Sequence, residues 1–169
     1  TYLSDGGSYL SWDQEVMMPA EGTPARAKQL STISGVHHDL LTDDAVADGL
    51  AELEDESLPH PQAAEIREVR RQYDRAAKVP RELVERISEE TSNALPVWKE
   101  AKAESDWSTF APRVERLLEL KREYAQHIDP DADPYAVLFA DYEPYLDLSV
   151  AEDVLTTLRD ELVPLIEEI

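Results

Sequence analysis

The chain has 169 residues, of which 42% are hydrophobic, and 37 acidic residues stand against 16 lysines and arginines. A chain of this length can bury a hydrophobic core, and its net charge of −21 disfavours nucleic acids and anionic membranes as partners because it repels them. The absence of cysteine excludes disulfides, thiolate zinc sites and cysteine nucleophiles. Neither a long apolar run nor a signal-peptide pattern is found, and we expect a cytoplasmic protein.

The acidic residues are spread along the whole chain and are not gathered in a tail. An acidic surface of this kind is typical of two situations. It can bind basic partners, or it can keep a protein soluble at high salt, where screening removes the self-repulsion. The even spread favours adaptation to a salty cytoplasm over a binding patch.

The first predicted element is a short helix, Tyr9–Met17. The Gly6–Gly7 pair is expected to end any helix that enters from the N-terminus, and Ser8 is expected to cap the new one. A loop follows from Pro19 to Thr23.

Thr23 as N-cap and Pro24 at the first helical position predict the start of the second helix. Its apolar face has residues at spacings of three and four. These are Arg26, Leu30, Ile33, His37 and Leu41. An unpaired charge on this face would be costly, so we predict an ion pair between Arg26 and Asp13, with Glu15 as the substitute partner.

The rest of the chain is also helical in pattern. Further helices are predicted after Asp43 or Asp44, over Gln62–Ala77, after Val79–Pro80, after Asp106 or Ser108, from Pro134 to about Tyr142, and from the cap Ser149 to Ile169. Pro96 is expected to kink the helix that begins after Val79–Pro80, because proline removes one intrahelical bond. The expected fold is all-α, a multi-helix array in a single domain, residues 1–169. Because the last apolar face runs to the final residue, we expect a fragment cut from something longer.

The four histidines do not form a metal site by their spacing. His37 and His38 are adjacent, so their rings point about 100° apart on a helix and cannot chelate one ion together. His37 lies on the apolar face and is predicted to be a packed, hydrogen-bonded histidine. Asp129, Asp131 and Asp133 resemble the start of a calcium loop, but the pattern fails afterwards, so they are interpreted as turn-forming acids. No catalytic, metal or cofactor residue is predicted in this chain.

Five blocks of the sequence resemble the thermostable carboxypeptidase Taq family of zinc-dependent metallocarboxypeptidases. They are LSWDQEVMMP (Leu10–Pro19), ARAKQLSTIS (Ala25–Ser34) with His38, VPRELV (Val79–Val84), VWKEAKAESDWSTFAPRVERLLELKREYA (Val97–Ala125) and DPYAVLFADYEP (Asp133–Pro144). The abundance of acids over lysines resembles a haloarchaeal version of this family. The blocks also supply a structural signature: Trp12, Asp13, Arg26, Gln29 and His38. We interpret Trp12, the pair Met17–Met18 and the couple Asp13–Arg26 as a clasp that joins the first two helices.

The resemblance implies the N-terminal part of a larger, mostly helical, zincin-like peptidase. Such a protein removes C-terminal residues from peptides with a zinc-activated water and forms a homodimer. The zinc-binding H-E-x-x-H motif is absent from this chain and would lie further along, so the chain alone is predicted to be inactive and would contribute a wall or cap of the substrate groove. The alternative is a non-enzymatic acidic helical domain that binds basic partners. An H-E-x-x-H helix beyond Ile169 would decide for the peptidase.

Overall fold

The computed structural model describes the backbone of residues 2–167 and the side chains of residues 2–166. The described residues form helices and no β-strand, which confirms the all-α prediction. In chain order the helices are α1 (Tyr2–Val16), α2 (Thr23–Leu41), α3 (Asp44–Glu54), α4 (His60–Ala76), α5 (Arg81–Glu104), α6 (Trp107–Ile128), α7 (Pro134–Tyr142) and α8 (Leu148–Glu167). A 3-10 turn, Ala20–Gly22, precedes α2.

The chain divides into two compact units. The first ends at Ile128 and holds α1 to α6, and the second begins at Asp129 and holds α7 and α8. The expectation of a single domain stays a prediction.

The first unit is organised around α5, which packs along α2 on one side and contacts α6 on another, while α1 packs on α2. The buried face of α2 is a row of small side chains at four-residue spacing: Thr23, Ala27, Ser31 and Gly35. Small side chains let two helix backbones approach closely, and at Gly35 a Cβ would lie 2.2 Å from the Glu85 side chain of α5. The closest contact between α2 and α5 is therefore made by this row, and not by the larger residues that the sequence predicts on the buried face.

The prediction that His37 is packed against other helices is wrong, because its side chain is exposed. The buried face of α2 is rotated by one residue relative to the face that the sequence predicts. Leu30, Ile33 and Leu41 are half-buried at the edges of the true contact. Within α2 it is the neighbour His38 that packs against other helices.

The prediction that Gly6–Gly7 ends a helix is also wrong, since α1 runs through both residues. Glycine inside a helix costs about 1 kcal/mol relative to alanine, which packing of a long helix offsets. Gly7 faces α2, where a Cβ would lie 3.8 Å from Ile33 Cγ2. The hydroxyl of Ser8, predicted to be a cap, instead donates to the carbonyl of Ser4, 3.0 Å away within the helix.

The helix caps agree with the sequence at several positions. Asp43 caps α3 by accepting from the Ala45 amide at 2.9 Å, and Asp133 caps α7 by accepting from the Tyr135 amide at 2.8 Å. Asp106 accepts from the Ser108 amide at 3.0 Å at the start of α6. Of the alternatives left open, the first named acid is thus the cap each time.

Besides Ser8, two further cap predictions fail. The hydroxyl of Thr23 donates to the Ala20 carbonyl at 2.8 Å and makes no cap bond to α2. Ser149 lies inside α8, which begins one residue earlier, at Leu148. Because a cap lies just before its helix, α2 begins one residue before its predicted first residue, Pro24, and α8 begins two residues before its predicted first residue, Val150.

In the second unit α8 is amphipathic, and its large apolar side chains are exposed. These are Val150, Val154, Leu155, Leu158, Leu162, Val163, Leu165 and Ile166. The predicted last residue of the face, Ile169, lies outside the described residues. None of the described helices is long and apolar enough to cross a membrane.

Candidate functional site

A groove of about 680 Å³ runs between α1, α2 and α5. Its walls are rich in hydroxyl groups and contain few large side chains. The lining residues are Ser4, Gly7, Ser8, Ser11, Gln14, Glu15, Leu30, Ile33, Ser34, Ser88, Thr91, Ser92 and Leu95. A groove of this size, lined by both hydroxyl groups and apolar side chains, could contact a peptide chain.

The floor of the groove holds a buried polar pair, Gln14 and Ser92. Gln14 Nε2 donates to the Ser92 carbonyl at 3.2 Å, and the Ser92 hydroxyl donates to Gln14 Oε1 at 2.9 Å. Pro96 lies four residues after Ser92 inside α5 and has no N–H, so the Ser92 carbonyl loses its ordinary helical donor. The Gln14 amide replaces that donor, so the Ser92 carbonyl keeps a hydrogen bond while α5 continues through Pro96. The kink expected at Pro96 stays a prediction.

This pair was missed by the sequence reasoning. The signal was present, because a proline inside a helix leaves the carbonyl four residues earlier without a donor. What the sequence does not contain is the identity of the replacement donor, since Gln14 is 78 residues away from Ser92.

Arg26 sits beside the groove at the junction of α1 and α2, with only 12% of its side chain exposed. The predicted ion pair is present, with Arg26 Nη2 2.5 Å from Asp13 Oδ2. The same guanidinium donates to the Leu10 carbonyl through Nη1 and to Gln29 Oε1 through Nε at 2.9 Å. A planar group with several donors is suited to holding three acceptors together, so Arg26 fastens α1 to the start of α2.

The other members of the predicted signature are dispersed. Gln29 belongs to the Arg26 cluster, but Trp12 is 57% exposed on the outer side of α1 and makes no part of this clasp. Met17 is 67% exposed, whereas Met18 lies against Gly22 in the turn before α2. That the five residues act together as a structural signature stays a prediction.

His38 fastens a different junction. Its Nε2 lies 2.8 Å from the Val79 carbonyl and 3.1 Å from the Ala76 carbonyl, in the turn between α4 and α5. Both partners are acceptors, so Nε2 carries the proton. Nδ1 is buried without a hydrogen-bond partner in the described part of the chain, and Asp39 Oδ1 is 3.9 Å from it. His38 thus ties the end of α2 to the start of α5.

Ion pairs join neighbouring helices across the first unit. They are Lys28–Glu89, Arg81–Asp39, Arg86–Glu123, Arg113–Glu90, Lys99–Glu15 and Arg70–Glu54. The hydrogen bond from Arg86 lowers the pKa of Glu123, and the hydrogen bond from Arg70 lowers the pKa of Glu54, while each arginine's own pKa is raised. Several of the few cations of this acidic chain therefore lie where two helices meet.

The described residues contain no group of three or more histidines and carboxylates that could hold a metal ion. Two of the three loop acids accept hydrogen bonds from the backbone, in agreement with their interpretation as turn-forming acids. Asp129 Oδ1 accepts from the Asp131 amide at 3.1 Å, and Asp133 caps α7. The residues described do not fit a catalytic metal.

A model of the family described as carboxypeptidase Taq (M32) metallopeptidase matches residues 1–169. The chain belongs to this family. The M32 chain is 29% identical to thermostable carboxypeptidase 1 of Thermus thermophilus over 99% of its length, and 31% identical to thermostable carboxypeptidase 1 of Pyrococcus furiosus over 96%. It spans 36% and 33%, about a third, of these two relatives.

Several solved protein structures superpose on this chain. A structure of the Pyrococcus furiosus carboxypeptidase, titled as apo with magnesium, gives a TM-score of 0.79 at 29% identity, with 99% of this chain and 34% of that chain covered. Metallocarboxypeptidase 1 of Trypanosoma cruzi gives 0.77 at 28% identity, with 99% and 34% covered. A structure titled BsuCP gives 0.88 at 24% identity, which supports the fold. The helical arrangement described above is therefore that of the family.

Proposed function

We propose that these residues form the N-terminal helical region of a zinc-dependent carboxypeptidase that releases C-terminal amino acids from peptides. Family membership over residues 1–169 carries the proposal, together with the coverage of only about a third of each relative. Family membership implies a divalent metal in the complete protein. The described residues offer no site for it, so the metal and the activated water belong to other parts of the polypeptide.

The contribution of this region is a wall or cap of the substrate groove. The groove between α1, α2 and α5 supports this role, because hydroxyl groups can donate to and accept from the backbone of an extended peptide. The buried Gln14–Ser92 pair and the Arg26 cluster would keep this wall rigid, as a positioning surface needs to be.

The experiment begins with the coding sequence beyond Ile169, where we expect an H-E-x-x-H helix. The complete polypeptide should release a C-terminal amino acid from a blocked dipeptide, lose the activity with a chelator and regain it with zinc. The 169-residue chain alone should show no release. A stop codon after Ile169, or release that no chelator affects, would refute the proposal and favour the acidic interaction domain.

The groove is tested separately in the complete enzyme. Ser11→Trp would place a large ring in the groove, and we expect it to raise KM for a peptide substrate at least fivefold. Ser57→Trp in the exposed turn after α3 is the matched control and should leave KM unchanged. Equal KM values for the two variants would exclude this groove from substrate binding.

The same proposal includes a homodimer and a cytoplasmic location for the complete protein. Sedimentation of the complete polypeptide tests the first, since a monomer at micromolar concentration would contradict it.

A further inference from the structure

The outer side of α1 carries a row of exposed side chains that the groove does not use. Tyr2 is 93% exposed, Tyr9 75%, Trp12 57% and Val16 59%. Asp5 belongs to the same row, so the spacing along the helix alternates between three and four residues from position 2 to position 16. Two tyrosines and a tryptophan in one exposed row are uncommon on a surface that stays in water.

This spacing indicates the shape of what covers the row. Positions that alternate by three and four residues form the seam of a pair of helices that pack along each other. The row extends over the full length of α1, about four turns. A second helix could therefore contact every member of the row, whereas a loop could contact only part of it.

Asp5 indicates the chemistry of the covering helix. Asp5, Ser8, Tyr9 and Trp12 together line one hollow of about 590 Å³. Asp5 has no ion-pair partner among the described residues, and α1 contains no lysine or arginine. A carboxylate covered by a helix is stable only when a cation or hydrogen-bond donor accompanies it. Tryptophan and tyrosine faces also attract a cation, as Lys102 shows at 4.8 Å over the Trp98 ring.

We propose that a helix from the part of the carboxypeptidase polypeptide outside these 169 residues packs along the outer row of α1 and inserts a lysine or arginine into the hollow at Asp5. The source follows from length, because the relatives are about three times as long as the stretch matched here. The proposal rests on the proposed function, since it requires the complete family protein. The row would thereby join this region to the rest of the enzyme.

The absence of cysteine in the chain provides a direct test. Val16→Cys leaves the hollow intact, and Tyr9→Cys reports from its wall. Each variant is labelled with a thiol reagent in the 169-residue chain and in the complete polypeptide, and labelling is read from the mass of the modified peptide. We expect labelling at both positions to be at least tenfold slower in the complete polypeptide. Ser57→Cys in the exposed turn after α3 is the control, with equal rates expected.

The cation is tested by charge reversal in the complete polypeptide. Asp5→Lys added to Val16→Cys should restore most of the fast labelling, and Asp5→Asn should restore less. Equal labelling of Val16→Cys in the two proteins would overturn the docking. Protection that is lost on dilution would also overturn it, because it would assign the row to a second copy. Protection that Asp5→Lys does not change would overturn the inserted cation.

The outcome is separable from the proposed function. A complete polypeptide that protects α1 but shows no metal-dependent release refutes the function and keeps the docking. A complete polypeptide that shows metal-dependent release but leaves α1 open to the reagent refutes the docking and keeps the function. A coding sequence that ends at Ile169 refutes both.

Discussion

Single hydrogen bonds at helix junctions decide how α1, α2 and α5 fit together. The amide of Gln14 supplies the donor that Pro96 removes from the Ser92 carbonyl, and the guanidinium of Arg26 gathers three acceptors from two helices. Both groups are largely buried, where a polar atom without a partner costs about 1–3 kcal/mol. Removing the Gln14 amide or the Arg26 guanidinium should therefore lower the free energy of unfolding.

A double-mutant cycle tests the relation between Gln14 and Pro96. Gln14→Leu should destabilise the chain by about 1–3 kcal/mol, because it leaves the Ser92 carbonyl without a donor. In a Pro96→Ala background the new N–H serves this carbonyl, so the cost of Gln14→Leu should fall by about 1 kcal/mol. Urea unfolding measures the four free energies. Pro112→Ala in α6 is the control background and should give additive effects, while additivity with Pro96→Ala would contradict the compensation.

The ion pair between Arg86 and Glu123 predicts a pH dependence. The pKa of Glu123 is lowered from its ordinary value of 4.5 by the hydrogen bond from Arg86, so the folded state favours the ionised form. Its contribution to stability is present above pH 4.5 and is lost as the pH falls through the lower folded pKa. The difference in unfolding free energy between the chain and its Glu123→Gln variant should be constant near neutral pH and decrease below pH 4.5.

Thermal or urea unfolding at several pH values measures this difference. Glu115→Gln, at an exposed position on α6 with no ion pair among the described residues, is the matched control. A difference that grows as the pH falls would contradict the prediction.

At the scale of the helices, close approach matters more than hydrophobic pattern. The row Ala27, Ser31 and Gly35 brings α2 against α5, and Gly35 leaves room for the Arg81–Glu85 pair, whose Nε and Oε1 atoms are 2.8 Å apart. Gly6 in α1 and Gly49 in α3 have no atom within 4 Å of the position of a Cβ. Glycines of equal helix propensity therefore differ in what surrounds them.

Alanine substitutions separate these cases. Gly6→Ala and Gly49→Ala should each stabilise the chain by about 0.5–1 kcal/mol, because alanine loses less conformational entropy in a helix. Gly35→Ala gains the same propensity but must displace Glu85 and Arg81, so its net gain should be smaller or negative. The free energies of unfolding in urea give the order. A gain at Gly35 as large as that at Gly6 would refute the close approach.

At the scale of the whole molecule, the excess of acids governs the response to salt. The chain carries a net charge of −21, and several of its 16 cations are already paired with acids of neighbouring helices, which leaves many exposed acids to repel each other. Screening weakens this repulsion, since the Debye length falls to about 3 Å at molar salt. The net electrostatic interaction among the charged side chains is repulsive, because 37 acids stand against 16 lysines and arginines.

We therefore expect molar KCl to raise Tm by about 5 °C or more relative to low salt, equivalent to roughly 2 kcal/mol. Circular dichroism during heating measures it. Replacing the exposed acids Asp48 and Glu52 by asparagine and glutamine should reduce the salt dependence, since neither has an ion pair among the described residues. A Tm that does not change with salt would contradict adaptation to a salty cytoplasm.

Several features follow from the sequence by itself. The 3.6-residue periodicity and the absence of alternating apolar segments determine an all-α fold, and acids placed just before apolar runs determine the caps at Asp43 and Asp106. The Asp13–Arg26 pair was predictable because a charge on a buried face requires a partner nearby. The five sequence blocks resemble the carboxypeptidase Taq family, whose model matches residues 1–169. These features are local, or depend on a pattern that is complete within one stretch.

The tertiary structure alone decides which helix face is buried, whether α1 continues through Gly6–Gly7, and which group replaces the missing donor at Pro96. Each of these depends on residues far apart in the chain, such as Gln14 and Ser92. Periodicity locates an apolar face but does not say which neighbour lies against it or how close that neighbour comes. Packing free energy exceeds the propensity differences of about 1 kcal/mol that govern sequence patterns, so it has the final influence where the two disagree.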